Sequence, residues 1–120
     1  MADHKYQAVL DQIADEINGF IGASIVDLDS GMPLATKSVR DLDLDIASAY
    51  NSELVKAKLN TMRILNLTGL QDMLLTLDAQ LHLIKLIGDN AFIYVAADRS
   101  STNLALLRAT VNSATGLLAA

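Results

Sequence analysis

Residues 17–36 read INGFIGASIVDLDSGMPLAT, and this stretch predicts a tight hairpin directly after a helix. The apolar run through Ile25 and Val26 is typical of a β-strand, and residues 29–31 (DSG) are turn-forming types. Pro33 has no backbone N–H to donate, so the second strand should lie at an edge of its sheet. The stretch therefore predicts two antiparallel strands, the second of them closing one edge.

The two aspartates of this stretch, Asp27 and Asp29, also allow an interpretation as a metal and phosphate site. In an aspartate-based phosphotransferase the first carboxylate is the nucleophile and the second the general acid, with magnesium between them. Such an enzyme also needs a distant lysine, further carboxylates and usually a larger domain. A calcium loop fails on spacing, because the twelfth position counted from Asp27 is Ser38 instead of glutamate. We favour the hairpin and expect no metal site.

The composition predicts one domain, residues 1–120, with surplus apolar surface. Hydrophobic residues make up 52% of the chain and charged residues 19%, against about 45–50% and about 25% in ordinary soluble domains. No apolar run reaches the roughly 20 residues of a membrane helix, and the N-terminus lacks the apolar block of a signal peptide. We therefore expect a cytoplasmic protein that covers part of its surface with a partner.

Charge and residue types exclude several functions. With 14 acidic and 9 basic residues the formal net charge is −5, the wrong sign for binding a nucleic-acid backbone. The chain has no cysteine, no P-loop and no Rossmann glycine motif. His82, the only histidine within a predicted element, is expected to be a hydrogen-bonded or half-exposed strand residue. We predict no catalytic residue and no cofactor.

The periodicity predicts the order helix, two strands, helix, three strands, helix. The middle helix is expected over about residues 46–65, after an acidic entry at 41–45 that can cap it. The last helix is expected to start with a cap from Ser100, Ser101 or Thr102. Its predicted core positions are Leu104, Leu107, Val111, Ala114 and Leu118.

The middle helix has two apolar stripes. The first is expected to pack on the sheet and comprises Ile46, Tyr50, Leu54, Ala57, Thr61 and Ile64. The second, about half a turn away, comprises Val55, Leu59 and Met62. A helix on a single sheet needs only one stripe, so we interpret the second as a partner surface. The alternative is that it covers the far end of its own sheet.

The first strand of the predicted meander is a second candidate for partner binding. Residues 72–77 (DMLLTL) are largely apolar and, unlike the Pro33 strand, contain no proline that would block pairing. If this strand is an edge, pairing with its own copy makes a two-fold dimer; the alternative is that an internal neighbour covers it. The predicted dimer interface therefore adds Met73, Leu74 and Leu75 to the second stripe of the helix.

The order of elements and the first hairpin resemble roadblock/dynein-light-chain domains. Members typically show I-x-G-V-x-G-A-x-I-x-D-x-D-G in this place. The matching residues here are Ile17, Gly19, Gly22, Ala23, Ile25, Asp27 and Asp29. Phe20 replaces the common valine, and Ser30-Gly31 replaces the immediate glycine.

This resemblance implies a roadblock/profilin-like α+β fold with three α/β/α layers. It implies a five-stranded antiparallel sheet in the order 2-1-5-4-3, with the first and last helices on one face and the middle helix on the other. It also implies homodimers that join their third strands and bring the middle helices side by side. Relatives often pair with Ras-like small GTPases and modulate nucleotide turnover, while others serve dynein or membrane-associated scaffolds.

The predicted function is a homodimeric, non-enzymatic regulator that binds a Ras-like small GTPase and modulates its nucleotide cycle. Lys56 and Arg63 are its candidate partner contacts, because they lie beside the apolar stripe. The alternative is a scaffold or adaptor, similar to dynein light chains, with no effect on nucleotide turnover. A phosphohydrolase would instead need magnesium-dependent activity that Asp27→Asn abolishes.

Overall fold

A computed structural model describes residues 2–119 of the chain. Its helices are α1 (Ala2–Glu16), α2 (Leu44–Ile64) and α3 (Leu104–Ala119), with one 3-10 turn at Arg99–Ser101. Its strands are β1 (Phe20–Asp27), β2 (Pro33–Ser38), β3 (Asp72–Thr76), β4 (Gln80–Ile87) and β5 (Ala91–Asp98). All pairings are antiparallel and the strand order is β2-β1-β5-β4-β3. The predicted element order and sheet are confirmed, with β2 and β3 at the two edges.

The sheet separates two hydrophobic clusters. Alternate strand residues such as Ile25 and Val95 pack with α1 and α3, whereas Val26 and Tyr94 lie in the cluster that includes α2 residues. Because both faces of the sheet centre are covered, β5 is buried at six consecutive positions. The predicted arrangement of the helices, two on one face and one on the other, is therefore present.

The helices α2 and α3 are each capped at the N-terminus by the side chain of the residue that precedes the helix. The Asp43 carboxylate accepts a hydrogen bond of 3.0 Å from the backbone N–H of Ile46, which confirms a cap from the acidic entry. For α3 the predicted cap is wrong. Asn103 caps this helix instead, with its side-chain oxygen 2.9 Å from the backbone nitrogen of Leu106.

The three hydroxyl residues predicted to cap α3 have other partners. Ser100 and Ser101 donate to the Asp98 carboxylate, and Thr102 donates to the carbonyl of Asn18. The helix consequently begins at Leu104, which is exposed instead of being a core position. The next three predicted core positions are fully buried; they are Leu107, Val111 and Ala114.

We expect Asp43→Ala to lower the free energy of unfolding by about 1 kcal/mol, because α2 would lose its side-chain cap. Urea denaturation followed by circular dichroism measures this change. Asp41→Ala is the matched control, because Asp41 precedes the cap position and is exposed. The control should stay within about 0.5 kcal/mol of the wild type, and an equal loss in both variants would contradict the role of Asp43.

Candidate interaction surface

The burial of α2 reverses the predicted roles of its two stripes. Val55 is fully buried and Met62 is only 8% exposed, whereas Tyr50 is 73% and Ile64 72% exposed. Leu59 is half-buried and packs against the same cluster as Val55. The predicted orientation is therefore wrong, and the alternative holds: the stripe of Val55, Leu59 and Met62 covers the helix's own sheet.

Small serines explain why this narrower stripe packs inward. Ser52 and Ser48 are buried about one and two turns before Val55, so the inward face continues toward the start of the helix. The Ser48 hydroxyl lies 2.9 Å from the hydroxyl of Ser24 on β1, and the two share a hydrogen bond. A Cβ atom on Gly31 would stand 3.4 Å from the Ser52 hydroxyl, so the hairpin also approaches α2 closely. Counting only apolar residues missed these small contacts.

The opposite face of α2, here called the outer stripe, is an exposed apolar surface. Its large apolar members are Ile46, Tyr50, Leu54 and Ile64. At 1.5 Å per residue the stripe is about 27 Å long from Ile46 to Ile64. Single exposed apolar residues are ordinary, but four large ones on the same face of one helix indicate an interaction surface.

The apolar surface continues beyond the C-terminal end of α2. Leu65 and Leu67 are exposed, and a groove of about 550 Å³ is lined by residues that include Leu59, Met62 and Leu67. The chain then enters β3 at Asp72. Residues 65–71 join the two elements, and Leu59 of α2 packs against the same hydrophobic cluster as Met73 and Leu75 of β3.

Within residues 2–119, β3 pairs only with β4, so its other side is a free edge. This confirms that the strand of residues 72–77 is an edge. Met73, Leu74 and Leu75 are all half-buried. Leu74 packs against the cluster of α1 and α3, while Met73 and Leu75 pack against the cluster that includes Val55. The edge thus presents partly covered apolar side chains on both faces of the sheet.

The two candidate partner contacts differ in accessibility. Lys56 is half-buried, and its ammonium donates a 2.9 Å hydrogen bond to the carbonyl of Asp29. This bond ties α2 to the first hairpin. Arg63 is exposed, and its guanidinium donates to the side chain of Asn60 one turn earlier. Arg63 therefore lies at the surface beside the outer stripe, whereas Lys56 has a structural partner.

Asp27 stabilises the turn of the first hairpin. Its carboxylate accepts hydrogen bonds from the backbone N–H of Ser30 at 3.0 Å and from the Ser30 hydroxyl at 2.7 Å. Gly31 follows with φ of +74°, a left-handed conformation that glycine adopts without strain. The predicted turn is confirmed.

In the part of the chain that the structure describes, no group of three or more His, Cys, Asp or Glu residues is arranged to hold a metal.

His82 is half-buried on β4, as predicted for a hydrogen-bonded strand histidine. Its Nε2 lies 2.7 Å from the side-chain oxygen of Gln80, and its ring meets the Tyr94 ring edge-on with centroids 5.2 Å apart. Burial lowers the pKa of His82 and raises the pKa of Tyr94. These contacts account for the histidine as part of the sheet face.

Among the residues whose side chains the structure describes, three aspartates have lowered pKa values. Serine hydroxyls lower the pKa of Asp27 and Asp98, and hydrogen bonds from Lys37 and then Gln7 lower the pKa of Asp11. The folded state therefore favours the charged carboxylates more than the unfolded state does. Their stabilisation is present above the unfolded pKa of about 4 and is lost as the pH falls through the lower folded pKa.

We expect the stability of the protein to decrease below about pH 4, because protonation removes these hydrogen-bonded carboxylates. Asp98→Asn should make this decrease smaller, since Asp98 accepts from both Ser100 and Ser101. Urea midpoints measured at pH 6 and pH 3 test the expectation. An unchanged difference between the two midpoints in Asp98→Asn would contradict it.

Comparison of the sequence with family models and with curated proteins returns no match. Solved structures do match. MglB from Myxococcus xanthus has a TM-score of 0.88 at 16% identity, covering 98% of this chain and 86% of that one. A Roadblock/LC7 domain from Streptomyces avermitilis has a TM-score of 0.77 at 15% identity, covering 97% and 92%. The chain has the roadblock fold. A further MglB, described as having a tetrameric arrangement, has a TM-score of 0.83 at 19% identity and covers 96% and 88%.

The glycines of the roadblock motif have packing roles in this chain. Gly19 has φ of +82°, and a Cβ there would stand 2.8 Å from the Thr102 hydroxyl oxygen. A Cβ on Gly22 would stand 3.1 Å from a methyl of Leu42, on the loop that leads into α2. The motif residues therefore build the roadblock fold around the first hairpin.

None of the helices within residues 2–119 is long and apolar enough to cross a membrane.

Proposed function

We propose that this chain is a non-enzymatic homodimer that binds a Ras-like small GTPase and modulates its nucleotide cycle. One observation carries the proposal: α2 exposes the apolar outer stripe, and the next strand, β3, has a free apolar edge. The GTPase as partner comes from the resemblance of the first hairpin to roadblock/dynein-light-chain domains. The roadblock fold, shared with proteins named MglB and Roadblock/LC7, supports it.

The homodimer forms through β3 in this proposal. Met73, Leu74 and Leu75 lose their remaining exposure when a second copy adds its own β3 to the sheet. The same two-fold axis brings the C-terminal ends of both α2 helices together, so Ile64 and the exposed leucines after it become covered. The tetrameric arrangement of one MglB is an example of self-association in this fold.

The GTPase binds across the outer stripes of the paired helices. Tyr50 and Leu54 supply apolar contact area, and the exposed charges of Glu53, Lys58 and Arg63 surround it. An apolar centre with a polar rim is the usual anatomy of such interfaces. The chain changes the nucleotide cycle by binding one nucleotide state of the GTPase more tightly, since a ligand shifts an equilibrium only by its differential affinity.

We expect a Ras-like GTPase from the same genome to bind with affinities that differ at least tenfold between its GDP form and a form loaded with a non-hydrolysable GTP analogue. Tyr50→Glu should weaken the tighter complex at least tenfold, because a charge replaces the exposed aromatic side chain of the stripe. Isothermal titration calorimetry measures both effects. Ser113→Glu, exposed on α3 at the other face of the sheet, is the control and should bind like the wild type.

Two results separate this function from the scaffold alternative. Equal affinity for both nucleotide forms, with unchanged GTP hydrolysis and exchange, would contradict a regulator and favour an adaptor. Unchanged binding by Tyr50→Glu would contradict the outer stripe as the docking surface. Light scattering on each variant shows whether the dimer itself is retained.

A further inference from the structure

The backbone of β3 directs its hydrogen-bonding groups alternately toward β4 and toward the free edge. Leu77 donates to the carbonyl of Gln80 at 2.9 Å, and Leu86 donates to the carbonyl of Gln71 at 3.3 Å. In an antiparallel pair the bonded positions alternate, so residues 71, 73, 75 and 77 face β4. Asp72, Leu74 and Thr76 consequently point their N–H and C=O groups outward.

We infer that two copies of this chain join their β3 edges in one register, with Leu74 opposite Leu74 of the second copy. The inference rests on the proposed homodimer and adds its register. Two-fold symmetry then puts Asp72 opposite Thr76 of the second copy, so all three outward residues find backbone partners. Moving the axis to Met73 or Leu75 leaves one of the three without a partner inside the strand.

The charges at the edge agree with this register. The Asp72 carboxylate already receives two hydrogen bonds from the Arg108 guanidinium on α3, at 2.9 and 3.1 Å, and its side chain is 19% exposed. A free charge on an edge strand discourages pairing, and here the arginine neutralises it. Facing Thr76 keeps the two Asp72 residues at opposite ends of the pairing, whereas an axis closer to Asp72 brings like charges together.

The positions of the β3 side chains also fit the inferred register. Leu74 points to the α1 and α3 side of the sheet, so the two Leu74 side chains meet at the axis on that face. On the α2 face, Met73 of each copy lies opposite Leu75 of the other. All three residues are half-buried in one copy, and the pairing covers the apolar surface that remains.

Single cysteines test the register without interference, because the chain contains no cysteine. The three variants are Met73→Cys, Leu74→Cys and Leu75→Cys, each oxidised with copper(II)-phenanthroline and analysed on non-reducing gels. In the inferred register the introduced cysteines of two Leu74→Cys chains face each other with Cα atoms about 5.5 Å apart, within the range of a disulfide. In a Met73→Cys pair or a Leu75→Cys pair the two cysteines are diagonal neighbours about 7–8 Å apart, which is too far.

We expect Leu74→Cys to cross-link at least tenfold faster than either neighbour alone. A mixture of Met73→Cys and Leu75→Cys chains should cross-link with each other, because these positions are opposite in the inferred register. Rapid self-cross-linking of Met73→Cys or Leu75→Cys would overturn the register in favour of an axis at that residue. Light scattering before oxidation separates the two proposals: a dimeric Leu74→Cys protein that does not cross-link refutes the register alone, and a monomeric wild type refutes the proposed homodimer.

Discussion

Val55→Asp is expected to destabilise the protein by more than about 4 kcal/mol, because it puts an uncompensated carboxylate into a fully buried position. Domains of this kind have about 5–15 kcal/mol of stability in total, so much of the variant should be unfolded or insoluble. Val55→Ala provides a milder measure, with an expected loss of about 2 kcal/mol from the cavity under α2. Urea denaturation gives both values.

Tyr50→Asp is the matched control on the same helix. Tyr50 lies on the outer stripe, so the same charge should change the free energy of unfolding by less than about 0.5 kcal/mol. The pair of variants therefore decides which face of α2 packs on its sheet. A tolerated Val55→Asp together with an unfolding Tyr50→Asp would restore the orientation predicted from the apolar stripes.

Thr76→Pro is expected to convert the proposed homodimer into a folded monomer. The N–H of Thr76 points to the free edge, so the ring removes no bond to β4 but blocks a strand that pairs from outside. Light scattering should show a fall from twice the chain mass to the chain mass of 12.9 kDa. The far-ultraviolet circular dichroism spectrum should stay that of the wild type.

Thr76→Ala is the control, because it removes the hydroxyl but keeps the N–H, and it should remain dimeric. Met73→Pro tests a β3 position whose backbone N–H faces β4 instead of the free edge. Its N–H faces β4, so proline there should lower the stability of the monomer as well. A dimeric Thr76→Pro protein would exclude the β3 edge as the interface and would leave the outer stripe of α2 as the candidate.

Both edges of the sheet could be predicted, one from local chemistry and the other from the family resemblance. Pro33 lacks a donor, which favours an edge position for β2, and β2 is an edge strand that pairs with β1 alone. The apolar residues 72–77 lack such a blocker, and the resemblance to roadblock/dynein-light-chain domains assigned them to the opposite edge. The hairpin between β1 and β2 could also be predicted from neighbouring residues. The Asp27 carboxylate accepts hydrogen bonds from Ser30, and Gly31 adopts the left-handed conformation that the turn needs.

The cap of α3 shows a limit of such local reasoning. Four consecutive positions, residues 100–103, carry side chains that can cap a helix. The choice among them depended on Asp98 and Asn18, which engage the first three and leave Asn103 for the helix. Asn18 is distant in sequence, so its contact with Thr102 exists only in the folded chain.

The sequence by itself determined the order of the elements through hydrophobic periodicity, and the first hairpin and the β2 edge through turn residues and the missing N–H of Pro33. Only the tertiary structure decided which face of α2 is buried. Both faces carry apolar residues, so hydrophobicity alone does not choose between them. Close packing against β1 and the hairpin does choose, because Ser48 and Ser52 fit where the larger side chains of the outer stripe would not. That packing leaves Tyr50 and Ile64 at the surface, where a partner can reach them.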